Sequence, residues 1–337
     1  MKYRLFGNSG LRVSEIALGT MTFGTEWGYG ADHAESKKIF DAYANAGGNF
    51  IDTANRYTEG TSEKFVGDFI KSDRDHFVVA TKYSLHDRLN DPNFSGNHRK
   101  NMMRSVEESL KRLNTQYLDL LWLHAWDFLT PTEEILRGLD DLIRMGKVNY
   151  IAISDTPAWI VSRANAIAEL RGWTQFTGLQ VEYSLLQRTP ERDLIPMAKE
   201  LKLAVTPWAP LAGGALTGKY LKGETGRVKE NSTRRNERST EIVKVLVDVA
   251  AQIGATPGQT AIRWAMQKEH TSIPIVGSGK ATQIEESLKA ADILIPAELM
   301  AKLDDVSKIE MGFPHDFLAG EGVHQVLYGG TKNQIIR

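Results

Sequence analysis

The chain has 337 residues, 42% hydrophobic and 25% charged, so it can bury a substantial core at a length where α/β barrels fold as one unit. With 41 Lys and Arg against 42 Asp and Glu, the net charge of −1 argues against nucleic acid or an anionic membrane surface as partner. The absence of cysteine excludes disulfides, thiolate metal sites and a cysteine nucleophile. With no signal-like N-terminus and no membrane-length apolar run, the expectation is a soluble, cytoplasmic protein.

From the N-terminus, Tyr3–Phe6 and Leu11–Ser14 flank Gly7-Asn8-Ser9-Gly10 and read as a β-hairpin, suited to plugging the bottom of a barrel. Eight short apolar runs follow: Glu15–Gly19, Asn49–Asp52, Phe77–Lys82, Tyr117–His124, Val148–Ser154, Gly178–Val181, Ala204–Pro207 and Ser272–Val276. Between them lie segments with helical spacing. Val106, Leu110 and Leu113 recur within Arg99–Leu113, and Ile135, Leu139, Leu142 and Ile143 within Thr132–Met145. Strands alternating with helices imply a parallel sheet, and eight units favour closure into a (β/α)8 barrel, an α/β fold of the TIM type. An open doubly wound sheet competes, but no Gly-x-Gly-x-x-Gly follows an early strand. The polar stretch Gly223–Ser239 predicts a mobile surface loop over about 222–239. The Gly-rich, aromatic-punctuated tail predicts a C-terminal loop over 310–337. No linker divides the chain, so residues 1–337 read as one domain.

In such barrels chemistry sits at the C-terminal ends of the strands. Asp52, Lys82 and His124 each end an apolar run, and Tyr57 lies on the loop after Asp52. Singly, each has an ordinary reading: a turn-forming Asp, a solvated Lys, a hydrogen-bonded His. Together they suit carbonyl reduction, which needs a hydride donor and an acid to protonate the developing alkoxide. Tyrosine has the geometry, but its unperturbed pKa of about 10 is high for that task. A neighbouring ammonium stabilises the tyrosinate; at ~4 Å and an effective dielectric of ~20 the attraction approaches ~4 kcal/mol. The expectation is therefore that Lys82 lowers the Tyr57 pKa. A carboxylate behind Lys82 would hold it charged, and a neutral His124 would position and polarise the substrate oxygen.

The motifs Ile51-Asp52-Thr53-Ala54-Asn55-Arg56-Tyr57, Ala80-Thr81-Lys82, Leu110-Lys111-Arg112-Leu113 and Asp119-Leu120-Leu121-Trp122-Leu123-His124 resemble the aldo-keto reductase family. The likeness runs from Leu11-Arg12-Val13-Ser14 to Gln283-Ile284-Glu285-Glu286. All four positions of the family's catalytic tetrad match, as Asp52, Tyr57, Lys82 and His124. Trp208-Ala209-Pro210-Leu211-Ala212-Gly213-Gly214 and Gly218-Lys219-Tyr220 resemble the bacterial and potassium-channel-β-like branch.

The resemblance implies a cofactor site. Gly19, Thr20 and Met21 would line the nicotinamide end, with Ser154 and Gln180 on the carboxamide and Trp208 stacked on the ring. Leu211, Gly213 and Leu216 would offer amides to the pyrophosphate, with Pro210 and Lys219 in the same segment. Gly277, Gly279, Lys280, Gln283, Glu286 and Ser287 would take the adenosine phosphate. Lys280 at a helix start suits a 2′-phosphate, so NADPH is expected over NADH. Three positions depart from many relatives. Asp155 stands for Asn, and a carboxylate cannot donate to a carboxamide oxygen unless protonated. Ser287 stands for Asn near the adenine, and Lys280 serves where an Arg is common.

Other motifs carry less. Gly277-Ser278-Gly279-Lys280-Ala281-Thr282 lacks the upstream Gly of a P-loop, whose position holds Pro274. The 8 histidines show no pair at metal-ligand spacing, so no metal is expected. Arg234, Arg235 and Arg238 read as a solvated loop or, alternatively, as a flap over the cofactor phosphates. Trp27, Tyr29, Trp126 and Phe128, with Tyr57 and His124, could wall an apolar pocket for a small carbonyl or alcohol substrate; Phe313, Phe317, Leu318 and Tyr328 could complete it. Packing against neighbouring helices is the alternative for these aromatics. A different class of function, a cofactor-sensing regulatory subunit with little turnover, stays open, as does a homo-oligomer.

Overall fold

The computed structural model describes residues 1–336 apart from Thr225, Arg227 and Glu230. An antiparallel hairpin, β1 (Tyr3–Leu5) and β2 (Arg12–Ser14), precedes eight parallel strands. These are β3 (Ala17–Gly19), β4 (Phe50–Asp52), β5 (Val78–Tyr83), β6 (Leu118–Leu123), β7 (Val148–Ser154), β8 (Gly178–Glu182), β9 (Ala204–Trp208) and β10 (Ile275–Gly277). They pair in chain order, with β10 beside β3. The seam between β9 and β10 closes through a bridge from Val205 to Ser272, with Val205 N donating to Thr271 O (2.9 Å) and Ile273 N to Val205 O (2.9 Å). The run expected over Ser272–Val276 becomes regular strand only from Ile275. Pro274 has no N–H to give a ladder.

Helices alternate with the strands: α1 (His33–Asn45), α2 (Thr61–Ile70), α3 (Arg99–Leu113), α4 (Thr132–Arg144), α5 (Ala158–Arg171) and α6 (Leu194–Glu200). Then come α7 (Glu237–Gln252), α8 (Pro257–Met266), α9 (Ala281–Leu288) and α10 (Ala297–Val306). The apolar stripes of α3 (Val106, Leu110, Leu113) and α4 (Ile135, Leu139, Leu142) are buried against the sheet, as their spacing requires. Local chemistry sets the ends. Thr256 and Gln259 form a reciprocal capping box with Pro257 in the first turn of α8, and Asn114 closes α3 in the left-handed region. No described helix is long and apolar enough to cross a membrane.

The barrel interior is a separate apolar cluster of Phe50, Val78, Ala80, Leu120, Trp122, Ala152, Ala204, Ile273 and Ile275, closed below by Phe6 and Val13. Phe6 meets Phe50 and Trp122 edge-on, with centroids 5.6 and 6.1 Å away. That contact requires Gly178, where a Cβ would stand 2.5 Å from the Phe6 ring. The hairpin thus plugs the bottom, as its sequence predicts.

Two segments differ from expectation. In the 222–239 loop, Val228 is buried, its N–H bonded to the Tyr220 hydroxyl (2.9 Å), and helix begins at Glu237, capped by Asn236; Thr225, Arg227 and Glu230 lie outside the described residues. The tail expected as loop forms α11 (His315–Ala319) and α12 (Glu321–Tyr328), which bury none of their side chains. Val323, Val326 and Leu327 recur at helical spacing there, between Gly320 and Gly329 at the two ends of α12.

Candidate active site

Adjacent parallel strands put Asp52 opposite Ala80 and Lys82 opposite Trp122, so alternate residues of β4, β5 and β6 point inward at the rim. Lys82 is fully buried. Its ammonium donates to Asp52 Oδ1, to the Thr53 carbonyl (3.0 Å) and to the Tyr57 hydroxyl (3.1 Å). Asp52 Oδ2 accepts from Gln180 Nε2 (3.0 Å), which links the pair to β8. The His124 ring stands edge-on to Tyr57 with centroids 5.9 Å apart. The four side chains singled out in the sequence converge on one point.

Tyr57 starts a short 3-10 turn whose next residues, Thr58 and Glu59, have φ of 45° and 56°. Left-handed backbone at a β-branched Thr is strained, and it persists because Thr58 is over-determined. Its hydroxyl donates to Phe23 O (2.6 Å) and accepts from Ser62 N (3.1 Å). A second buried cluster backs this turn: Glu63 accepts from Thr81 Oγ1 (2.5 Å) and from Arg112 Nε (2.6 Å). Sequence reasoning missed it, because Glu63 and Arg112 lie on different helices and no local spacing joins them.

Electrostatics correct one expectation. Burial raises the Tyr57 pKa; Lys82 pulls it back, but Asp52 opposes Lys82, and the net direction is up. The sequence reading weighed the ammonium without the burial that outweighs it. Tyr57 is thus held as the neutral phenol, ready to donate. Burial works against the Lys82 ammonium, yet Asp52 and Tyr57 together hold its pKa above the ordinary value. Burial, then the Lys82 charge, holds His124 well below the usual imidazole value, so it is neutral at pH 7.

The remaining predicted residues divide into those the rim brings together and those it does not. Ser154, fully buried at the end of β7, pairs in register with Gln180, and its Oγ has no partner among the described residues. Asp155 Oδ1 accepts from the Trp208 indole N–H (3.1 Å), tying β7 to β9. Gly213 and Gly214 have φ of 68° and 94°, and the Lys219 ammonium comes within 3.4 Å of where a Cβ on Gly214 would stand. The Leu216 amide is engaged with Leu211 O (3.3 Å), so it is already occupied within the turn that follows Pro210. Gly19 and Gly277 approach closely across β3 and β10; a Cβ on Gly277 would stand 3.3 Å from Gly19 O. Thr20 is consumed structurally, donating to Asp52 O (3.0 Å) and meeting Ser62 Oγ, whereas Met21 is half-buried on the loop. At the start of α9, Gly279 is half-buried, Lys280, Gln283 and Glu286 are exposed and Ser287 is half-buried. The Ala281 N–H there is already engaged, donating to Glu35 Oε1 (2.9 Å). The sequence could not signal this contact with α1.

Of the expected substrate wall, Trp27 stands edge-on to Tyr57 (centroids 6.4 Å) with its N–H on Glu59 (3.2 Å), and Tyr29 lies beside it at 6.2 Å. Half-buried Trp126 lines a cavity of about 470 Å³ with Ser84, Leu85, His98 and Asp127. Phe128 is 70% exposed. Phe313, Phe317, Leu318 and Tyr328 are likewise exposed on the tail, with the Phe313 and Phe317 rings tilted against each other, centroids 6.0 Å apart. Among the described residues no three His, Asp or Glu side chains converge to hold a metal ion.

Orphaned Ser154 Oγ, the left-handed glycines at 213 and 214 and the convergent acid, ammonium and phenol fit a dinucleotide hydride carrier. A profile of the aldo/keto reductase family matches residues 15–308. The chain belongs to that family. Among relatives of this aldo/keto reductase is an aryl-alcohol dehydrogenase [NADP(+)] of Phanerodontia chrysosporium, 40% identical, spanning 93% of this chain and 87% of the relative. A norsolorinic acid reductase of Aspergillus flavus is 35% identical over 93% of this chain and 83% of its own. An aryl-alcohol dehydrogenase of Pestalotiopsis microspora is 34% identical over 96% and 86%.

Proposed function

We propose that this aldo/keto reductase is an NADPH-dependent enzyme that reversibly reduces aromatic aldehydes or ketones to alcohols, with Tyr57 as the proton donor. The observation that carries the reading is Lys82, buried and shared between the Asp52 carboxylate and the Tyr57 hydroxyl. A reduced nicotinamide, when bound, supplies the hydride. The substrate oxygen would sit between the Tyr57 hydroxyl and the neutral His124 ring. As negative charge develops there, the phenol gives up its proton, and the Lys82 ammonium stabilises the phenolate left behind. Asp52 holds that ammonium in place. Ser154 and Gln180 would bind the carboxamide and Trp208 would cover one ring face. Gly213, Leu211 and Lys219 would meet the pyrophosphate, and Lys280 the 2′-phosphate.

The aromatic substrate class is supported by the aryl-alcohol dehydrogenase and norsolorinic acid reductase names of the relatives and by Trp27 and Trp126 beside the rim. Those relatives are fungal, so Trp208–Gly214 alone supports the channel-β-like branch. The cysteine-free composition supports a cytoplasmic location. The test is Tyr57→Phe, which removes the donor and leaves the ring. Turnover of an aryl aldehyde should fall about a thousandfold or more while NADPH affinity, read by tryptophan quenching, stays within about twofold. Near-normal turnover in that variant would sink the assignment.

A further inference from the structure

One carboxylate at the barrel mouth has no ion-pair partner among the described residues. Lys82 is paired with Asp52, and Glu182, at the end of β8, is paired with Arg234 from the 222–239 loop. Asp155 stands beside them, and among the described residues no ion pair joins it to a Lys or Arg. The carboxylate is held in place by its own backbone. Its φ is 39°, in the left-handed region that Asp and Asn tolerate best, and its amide donates to Gln180 O (3.3 Å). On the other side its carbonyl accepts from Trp126 N (3.4 Å). One carboxylate oxygen takes the Trp208 indole N–H. That bond does not explain the charge, because an amide oxygen at the same position would accept it equally well. Desolvation at the mouth raises the Asp155 pKa against the pull of the Trp208 N–H and of Lys82, and its charge in turn adds to the factors that keep Tyr57 protonated.

We propose that the Asp155 carboxylate sets the redox preference of the cofactor site, making it bind the oxidised nicotinamide more tightly than the reduced one. The inference rests on the cofactor reading above. A nicotinamide ring is neutral when reduced and carries one positive charge once its hydride, a proton with two electrons, has passed to the carbonyl carbon. A carboxylate at the rim stabilises that positive charge and has little hold on the neutral ring. The interaction strengthens as hydride leaves, so it favours donation toward a carbonyl over the reverse. Asp155 is then a specificity-determining residue, acting through charge, and the anchor of Trp208 through its hydrogen bond.

The experiment is titration of the full-length protein with NADP+ and with NADPH, separately, in wild type, Asp155→Asn and Trp208→Phe. Asp155→Asn keeps the acceptor and removes the charge; the Kd for NADP+ should rise about three- to tenfold while that for NADPH changes by less than about twofold. Trp208→Phe keeps the charge and removes the indole donor; adding Asp155→Asn in that background should still raise the Kd for NADP+ more than that for NADPH. Should Asp155→Asn fail to fold by circular dichroism, Asp155→Gly, which adopts the same left-handed backbone, removes the same charge and gives the same readout. An unchanged ratio in the charge-removing variant would overturn this inference alone. Failure of the wild-type protein to bind either nucleotide would overturn the cofactor reading and this inference with it.

Discussion

Along a single barrel strand the chemistry changes within two residues. Phe50 points into the lower interior against Phe6, and Asp52, next on the same face of β4, points into the rim against Lys82. On β5, Val78 and Ala80 lie below and Lys82 above; on β6, Leu120 and Trp122 lie below and His124 above. Below, the side chains have no polar needs and fill space around Phe6. Above, buried charges exist only because each has an opposite partner, and the backbone at Thr58 and Asp155 is held in left-handed conformations. The lower half carries stability that could be lost without altering chemistry. The upper half carries chemistry that ties up buried charge and strain.

Lys82→Met should break this contrast most severely, since it strikes both halves of the argument. It leaves the Asp52 carboxylate buried without its cation, which costs about 3–5 kcal/mol of stability by denaturant unfolding. It also removes the charge behind Tyr57, lowering kcat/KM about a thousandfold or more. Adding Asp52→Asn to Lys82→Met should restore most of the stability and none of the activity; recovery of neither would mean the pair does not act as a pair. Phe6→Ala tests the lower half. It should cost about 3–5 kcal/mol by opening the plug among Phe50 and Trp122. Its kcat/KM should stay within about twofold of wild type below the shifted Tm. A large kinetic loss in folded Phe6→Ala would show that the two ends are coupled.

What was legible in the sequence follows the same division. The hairpin, the strand order and the stripes of α3 and α4 come from local period and turn chemistry, and the residues that show them need no distant partner. Asp52, Lys82 and His124 could be found because each ends an apolar run, a position that a barrel makes meaningful. The Tyr57 pKa direction could not, since it depends on the summed effect of burial, Lys82 and Asp52 in three dimensions. Glu63 with Arg112, and Glu35 on the Ala281 amide, join residues 49 and 246 positions apart, beyond any spacing rule. Asp155 looked like a misfit for the carboxamide; its role as partner of Trp208 depends on β7 and β9 being brought close at one rim.

The smallest expected effect sharpens the comparison, because each end of the barrel holds one histidine that resists protonation. His124 stands at the rim, and His270 at the lower seam, next to Thr271 where β9 meets β10. Burial pushes His270 down to about 4, with Lys268 and Lys199 adding repulsion against the opposing pull of Glu191 and Glu269. Below the unfolded pKa of about 6.5, the unfolded chain takes up a proton at each histidine that the folded chain refuses, so stability falls as the pH falls. Above about 6.5 neither state is protonated and nothing further is gained. For His270 the loss accumulates between pH 6.5 and about 4 and amounts to roughly 1–3 kcal/mol, given its partial exposure. His270→Gln should therefore flatten the acid limb of stability against pH and leave kcat/KM near wild type. His124→Gln should flatten the same limb and lose activity, since its ring faces Tyr57. If His270→Gln left the limb unchanged, the acid sensitivity would belong to the rim alone, and the lower seam would be as indifferent to pH as the apolar interior beside it.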